Sequence, residues 1–122
     1  MMAQLISVIM MIETGGHPDP LNAVGDNGRS IGCMQIQMCV IEDVNRVYKR
    51  HNYVAKDRYD KVKSQEICYL YLLHWGNHYE NKTGKKATSQ VLARIWNGGP
   101  NGWKKASTKE YGMKAKNLLL NR

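Results

Sequence analysis

A nearly unbroken apolar run that ends in an acid restricts this chain more than any other feature. Leu5, Ile6, Val8, Ile9, Met10, Met11 and Ile12 precede Glu13, and Thr14-Gly15-Gly16 follows at once. Apolar residues at every angular position predict a helix over residues 2–13 that is buried on all sides. A carboxyl group at the end of such a helix sits at the edge of a core, where desolvation disfavours its charged form. The negative end of the helix dipole acts in the same direction. A carboxylic acid held protonated near neutral pH is what a general acid must be. A Glu that merely marks an exposed helix end is the plainer reading of the same residue.

The chain has 122 residues, enough for one compact domain with a single core, and no linker or repeat divides it. No apolar run reaches the roughly 18 residues of a membrane span, so no transmembrane segment is expected. The first segment also lacks the basic start and small-residue cleavage pattern of an export signal. It reads as the first structural helix. The net charge is +8, with no Lys or Arg in the first 28 positions. Such a balance favours anionic partners, among them nucleic acid, membrane surfaces and bacterial cell wall. No nucleic-acid-binding motif is present and the basic residues are not clustered, so no nucleic-acid partner is expected. Three cysteines, Cys33, Cys39 and Cys68, argue against a full disulfide framework and for buried free thiols. Cys33 with Cys39 is the only locally plausible bridge.

The rest of the chain predicts a mainly α fold with a small β-hairpin. Residues 14–29 are rich in Gly, Asn, Asp and Pro and form a long structured loop. Within it Asp26-Asn27-Gly28 is a turn signal between Val24 and Ile31. Residues 30–37 form a tight, partly buried segment that leads into a helix near 39–50. Asp57 or Arg58 starts a longer helix with Ile67, Leu70, Tyr71 and His74 toward the core. Thr88 or Ser89 caps a helix that stops at Gly98-Gly99-Pro100. Ser107-Thr108-Lys109-Glu110 fits a capping box for the last helix, with Met113, Ala115 or the Lys116 stem, Leu118 and Leu119 as core positions.

Three blocks carry a family likeness. Glu13-Thr14-Gly15-Gly16 with Gly32-Cys33-Met34-Gln35-Ile36 resembles the opening motif of the goose-type lysozyme and lytic transglycosylase superfamily, a catalytic Glu followed by a Gly-Leu-Met-Gln element. Ala93-Arg94-Ile95-Trp96-Asn97-Gly98-Gly99-Pro100 resembles its Ala-x-Tyr-Asn-Ala-Gly-Pro motif. Thr108-Lys109-Glu110-Tyr111 resembles the late motif in which a Tyr opens the final helix. The blocks stand in the family order. Nineteen positions separate Glu13 from Gly32, a span similar to the goose-type proteins, and Gly25-Asp26-Asn27-Gly28 matches their Gly-Asp-x-Gly turn. Four positions depart from the pattern: Ile31, Cys33, Trp96 and Gln37, the last where those proteins carry a further Asp.

The resemblance implies a lysozyme-like fold with the hairpin beside an active-site cleft. It implies cleavage of the β-1,4 bond between N-acetylmuramic acid and N-acetylglucosamine in peptidoglycan, by a monomer without cofactor or metal. Glu13 would protonate the glycosidic oxygen, and Asp26 would activate a water, unless Asp26 serves only its turn. Without a second carboxylate the substrate's own 6-hydroxyl attacks, as in a lytic transglycosylase. Gly32, Gln35, Asn97, Gly98, Tyr111 and Trp103 are the expected substrate-binding residues. Trp75 and Trp96 are weaker stacking candidates. His74 and His78 have a metal-like i, i+4 spacing but no third ligand, and His17 is close enough in sequence to Glu13 to line a cleft. An inactive glycan- or partner-binding module of the same fold is the competing reading. The substrate lies outside the cytoplasmic membrane, so a phage-encoded lysin, a virion-associated enzyme or a domain excised from a longer protein is expected.

Overall fold

A computed structural model describes Met1–Asn121. Among these residues it contains five α-helices and one two-stranded antiparallel sheet, the mainly α architecture with a hairpin that the patterning predicts. The chain forms two compact units, Met10–Tyr71 and the pair of segments Met1–Ile9 and Leu72–Arg122. Both boundaries fall inside helices.

Helix α1 spans Met2–Thr14. Leu5, Ile6, Val8 and Ile9 are buried, but Met11 is 48% exposed and Ala3 and Gln4 face solvent. The helix is therefore not buried on all sides. The apolar excess lies in methionines, whose flexible side chains tolerate a surface position better than the pattern alone suggests.

In Met10–Tyr71 the chain leaves α1, makes a 3-10 turn at Pro20–Asn22 and enters the hairpin of β1 (Val24–Gly25) and β2 (Ser30–Ile31). Val24 pairs with Ile31 and Gly25 with Ser30. Asp26 and Asn27 adopt φ of 50° and 58°, the left-handed conformation that Asp and Asn tolerate at turns. Helix α2, Met38–Val47, buries Ile41 and Val44 and ends three residues before the expected limit, at the Tyr48 cap. Asn45 then fastens the next segment by exchanging two 2.9 Å hydrogen bonds with the Tyr53 backbone. The Tyr53 hydroxyl donates to Glu66 at 2.8 Å. Burial, with that bond second, pushes its pKa well above the ordinary tyrosine value.

Helix α3, Lys61–Thr83, starts later than expected, because Ala55–Tyr59 forms a separate 3-10 turn. Asp60 is the cap, its Oδ1 accepting from the Lys63 N–H at 2.8 Å. Ile67, Cys68, Tyr71 and Leu72 are buried, while Leu70 and His74 are half-buried. No helix among the described residues is long and apolar enough to cross a membrane.

In the other unit, α4 (Ser89–Gly98) is capped by Thr88, whose side chain accepts from the Val91 N–H. Gly99, at φ 86°, ends it. Helix α5, Lys109–Leu120, packs on α4 at Gly112, where a Cβ would stand 2.7 Å from Arg94 Cγ. Ala115 is buried and Leu118 and Leu119 are half-buried, but Met113 is 57% exposed, contrary to the core position expected for it. The Ser107–Glu110 capping box does not form. Ser107 lies in a 3-10 turn, Ala106–Thr108, and Thr108 spends its hydroxyl on tertiary contacts. All three cysteines are free; Cys33 and Cys68 are buried as expected, but Cys39 is exposed in the first turn of α2.

Candidate active site

Glu13 sits in the last turn of α1, half-buried. The next residue fixes its position. Thr14 is buried, and its hydroxyl donates to the Cys33 carbonyl at 2.8 Å across nineteen positions. This bond fastens the helix end that carries Glu13 to the turn containing Gly32 and Gln35. Close by lies a buried thiol: burial first, and the Glu13 charge second, raise the Cys68 pKa well above its usual value. Glu13 therefore stands close to the buried Cys68 thiol and at the carbonyl end of its helix. Thr14→Val should leave the Cys33 carbonyl without this donor and cost about 1–3 kcal/mol. Thermal melts should show a midpoint lower by several degrees.

The turn after β2 is built from backbone bonds that leave little for a ligand. Gly32 is buried at φ 82°; its N–H donates to the Ala23 carbonyl at 2.8 Å. The Gly32 carbonyl accepts from the Gln35 N–H and from Gln35 Nε2, both at 3.0 Å. Gln35 itself has φ 53°, and its Nε2 also donates to the Ala23 carbonyl at 3.3 Å. Both amide hydrogens of Gln35 thus hold the loop, and its Oε1 packs against Gly25, where a Cβ would stand 2.3 Å away. From the other side, Arg58 donates to the Ile36 carbonyl at 3.2 Å.

Asp26 is exposed on the hairpin turn. Its Oδ2 accepts from the buried Ser30 hydroxyl, and Ser30 Oγ accepts from Gln37 Nε2 at 3.3 Å. The result is a polar chain, Gln37–Ser30–Asp26, with one carboxylate at its outer end. A fixed exposed carboxylate of this kind can orient a water and take its proton. His17 is exposed, and its Nδ1 accepts from the Asp19 N–H at 2.9 Å, so that ring holds its own loop.

The remaining expected residues lie in the other unit. Asn97 is exposed near the end of α4, and the Gly98 carbonyl accepts from Lys105 Nζ at 2.7 Å. Arg94 organises the following loop: Nε donates to Thr108 Oγ1 at 2.8 Å and a terminal nitrogen to the Lys105 carbonyl at 2.7 Å. Thr108 in turn donates to the Gly102 carbonyl at 2.6 Å. That loop carries Trp103, half-buried, with the Tyr79 ring edge-on at 5.1 Å and its indole nitrogen buried without a hydrogen-bond partner among the described residues. Tyr111 is half-buried in the first turn of α5. His74 and His78 flank Trp75, with ring centroids 4.6 and 5.2 Å away, which explains their spacing in packing terms. No cluster of three or more His, Cys, Asp or Glu among the described residues is placed to hold a metal ion.

Of the eight expected site residues, Glu13, Asp26, Gly32 and Gln35 fall in one unit and Asn97, Gly98, Trp103 and Tyr111 in the other. Thr14, Ser30 and Arg94 were not singled out in the sequence, yet they position the residues that were. Thr14 and Arg94 lie inside the motif blocks, but only their long-range partners show what they do. No known family model matches the chain, and a search of the curated proteins finds no match.

Proposed function

We propose that the chain is a peptidoglycan-cleaving muramidase acting on the β-1,4 bond between N-acetylmuramic acid and N-acetylglucosamine, with Glu13 as general acid. The observation that supports this reading best is the Thr14–Cys33 bond. It ties the acid-bearing end of α1 to the turn of Gly32 and Gln35, the two halves of the motif on which the family likeness rests. Glu13 gives its proton to the glycosidic oxygen as the C–O bond breaks, and the sugar passes through an oxocarbenium-like state. Asp26 orients a water whose oxygen bonds to the anomeric carbon and takes the proton that this water loses, so the products carry reducing ends.

One observation favours a second reading. The position where goose-type proteins carry a further Asp is Gln37, which is engaged with Ser30. The hairpin therefore offers Asp26 alone, and its turn uses Asp26 at φ 50° whatever the chemistry. If Asp26 serves only the turn, Glu13 acts as acid and then as base, the substrate's 6-hydroxyl attacks, and the ends are 1,6-anhydro. Asp26→Asn separates the two. Hydrolysis predicts a rate at least about tenfold lower with the fold retained, because an amide cannot accept the proton. Mass spectrometry of the wild-type products gives the same answer independently. An unchanged rate together with anhydro ends would remove hydrolysis in favour of transglycosylation.

A further inference from the structure

The charge of this chain is confined to one of its two units. Met10–Tyr71 contains eight Lys and Arg and eight Asp and Glu, a net charge of zero. Met1–Ile9 with Leu72–Arg122 contains ten basic and two acidic residues, a net charge of +8. Eight of those ten are exposed lysines. One face of α5 combines this charge with apolar surface. Lys109, Met113, Lys116 and Leu120 follow one another at i, i+4, i+7 and i+11, so they share a stripe about 16 Å long. Met113 is 57% and Leu120 72% exposed. Where the stripe ends, Lys116, Leu119 and Leu120 line a groove of about 340 Å³ with Thr88, Ser89 and Gln90 at the start of α4. Its lining puts an ammonium group and the positive end of a ten-residue helix beside two leucines.

A polymer of phosphates or acidic sugars would use the lysines and leave Met113 and Leu120 in water. A membrane surface uses both: headgroup phosphates meet the ammonium groups while apolar side chains enter the boundary between headgroups and acyl chains. Lysine stems extend along that boundary and keep their charge outside it.

We propose that the exposed face of α5 docks the protein on a membrane surface rich in anionic phospholipid. This attachment is peripheral and does not depend on glycan cleavage. Cosedimentation of the full chain with phosphatidylcholine vesicles, and with vesicles of equal phosphatidylcholine and phosphatidylglycerol, tests it at about 0.1 M salt. Binding is expected to the anionic vesicles alone. Lys109→Glu with Lys116→Glu should weaken it at least about twentyfold. Met113→Ser with Leu120→Ser should weaken it about tenfold, although no charge changes. Lys49→Glu with Arg50→Glu makes the same change in net charge at exposed positions of the neutral unit and should alter binding less than about twofold. All of these residues are exposed, and the melts of the variants should match wild type. Failure to bind anionic vesicles, or an equal loss from the Lys49/Arg50 pair, would overturn the proposal. So would binding to a short DNA duplex as tight as to the vesicles and unaffected by Met113→Ser with Leu120→Ser, which would assign the face to nucleic acid. Digestion of lipid-free cell walls should be unchanged in the Met113/Leu120 variant, which keeps this test separate from the muramidase reading.

Discussion

Glu13→Gln is expected to lower the rate of cell-wall cleavage at least a hundredfold while the protein stays folded. Gln is nearly isosteric and hydrogen-bonds, but it has no proton to give the leaving oxygen. General acid catalysis supplies about 10²–10⁴-fold, and a group that works with partners costs more when lost. The half-buried position of Glu13 at the end of α1 means that replacing an acid by an amide creates no cavity and removes at most one buried charge. Stability should therefore be equal or higher, as measured by thermal melts beside the rate. A variant that retains more than about a tenth of the wild-type rate would exclude Glu13 as the acid.

The second large effect concerns Gly32, where the expected defect is folding rather than chemistry. A Cβ built there would stand 1.9 Å from the Arg58 carbonyl oxygen, and φ is 82°. Neither the backbone conformation nor the contact accommodates a methyl group, and the contacting atom is main chain, which has little freedom to move. Gly32→Ala should destabilise by at least about 3 kcal/mol, a large part of the 5–15 kcal/mol typical of a domain. Two other glycines separate the causes. Gly28 has φ 90° with nothing within 4 Å of a built Cβ, so Gly28→Ala should cost about 1 kcal/mol for conformation alone. Gly16 has the same free space without the positive φ and should tolerate Ala at almost no cost. Denaturant unfolding of the three variants should rank Gly32 far above Gly28, and Gly28 above Gly16. Equal losses at Gly32 and Gly28 would mean that the Arg58 carbonyl moves aside.

Local signals in the chain carried most of its secondary structure. The apolar run gave α1, Asp26-Asn27-Gly28 gave the hairpin, and Thr88 with Gly98-Gly99-Pro100 gave both ends of α4. Expectations failed where a tertiary contact outbid a local one. Ser107-Thr108-Lys109-Glu110 has the letters of a capping box, but the Thr108 hydroxyl is committed to the Gly102 carbonyl and to Arg94. Met113 has the spacing of a core residue, yet Gly112 takes the contact with α4. The late start of α3 has the same character: Asp57 does cap, but it accepts from the Val54 N–H to open a 3-10 turn, and Asp60 begins the helix.

The candidate site was legible as a list of residues and not as a geometry. Glu13, Gln35 and Asp26 stand in recognisable spacings. That Thr14 reaches Cys33, that Gln35 spends its amide on the Ala23 and Gly32 carbonyls, and that Ser30 links Gln37 to Asp26 are contacts across three to nineteen positions. They depend on left-handed turns at Gly32 and Gln35, and a non-glycine residue at positive φ leaves no mark that composition reveals. The uneven charge is a similar case. The total of +8 is plain in the sequence, but its confinement to one unit emerges only when Met1–Ile9 is grouped with Leu72–Arg122.

The most direct test of muramidase activity is the release of soluble muropeptides from purified, lipid-free sacculi, followed by mass spectrometry. Wild-type protein should release fragments ending in N-acetylmuramic acid, with reducing ends if Asp26 activates water, and Glu13→Gln should release almost none. Sacculi that bind the folded wild-type protein yet yield no soluble fragments would contradict cleavage and make the chain a binding module.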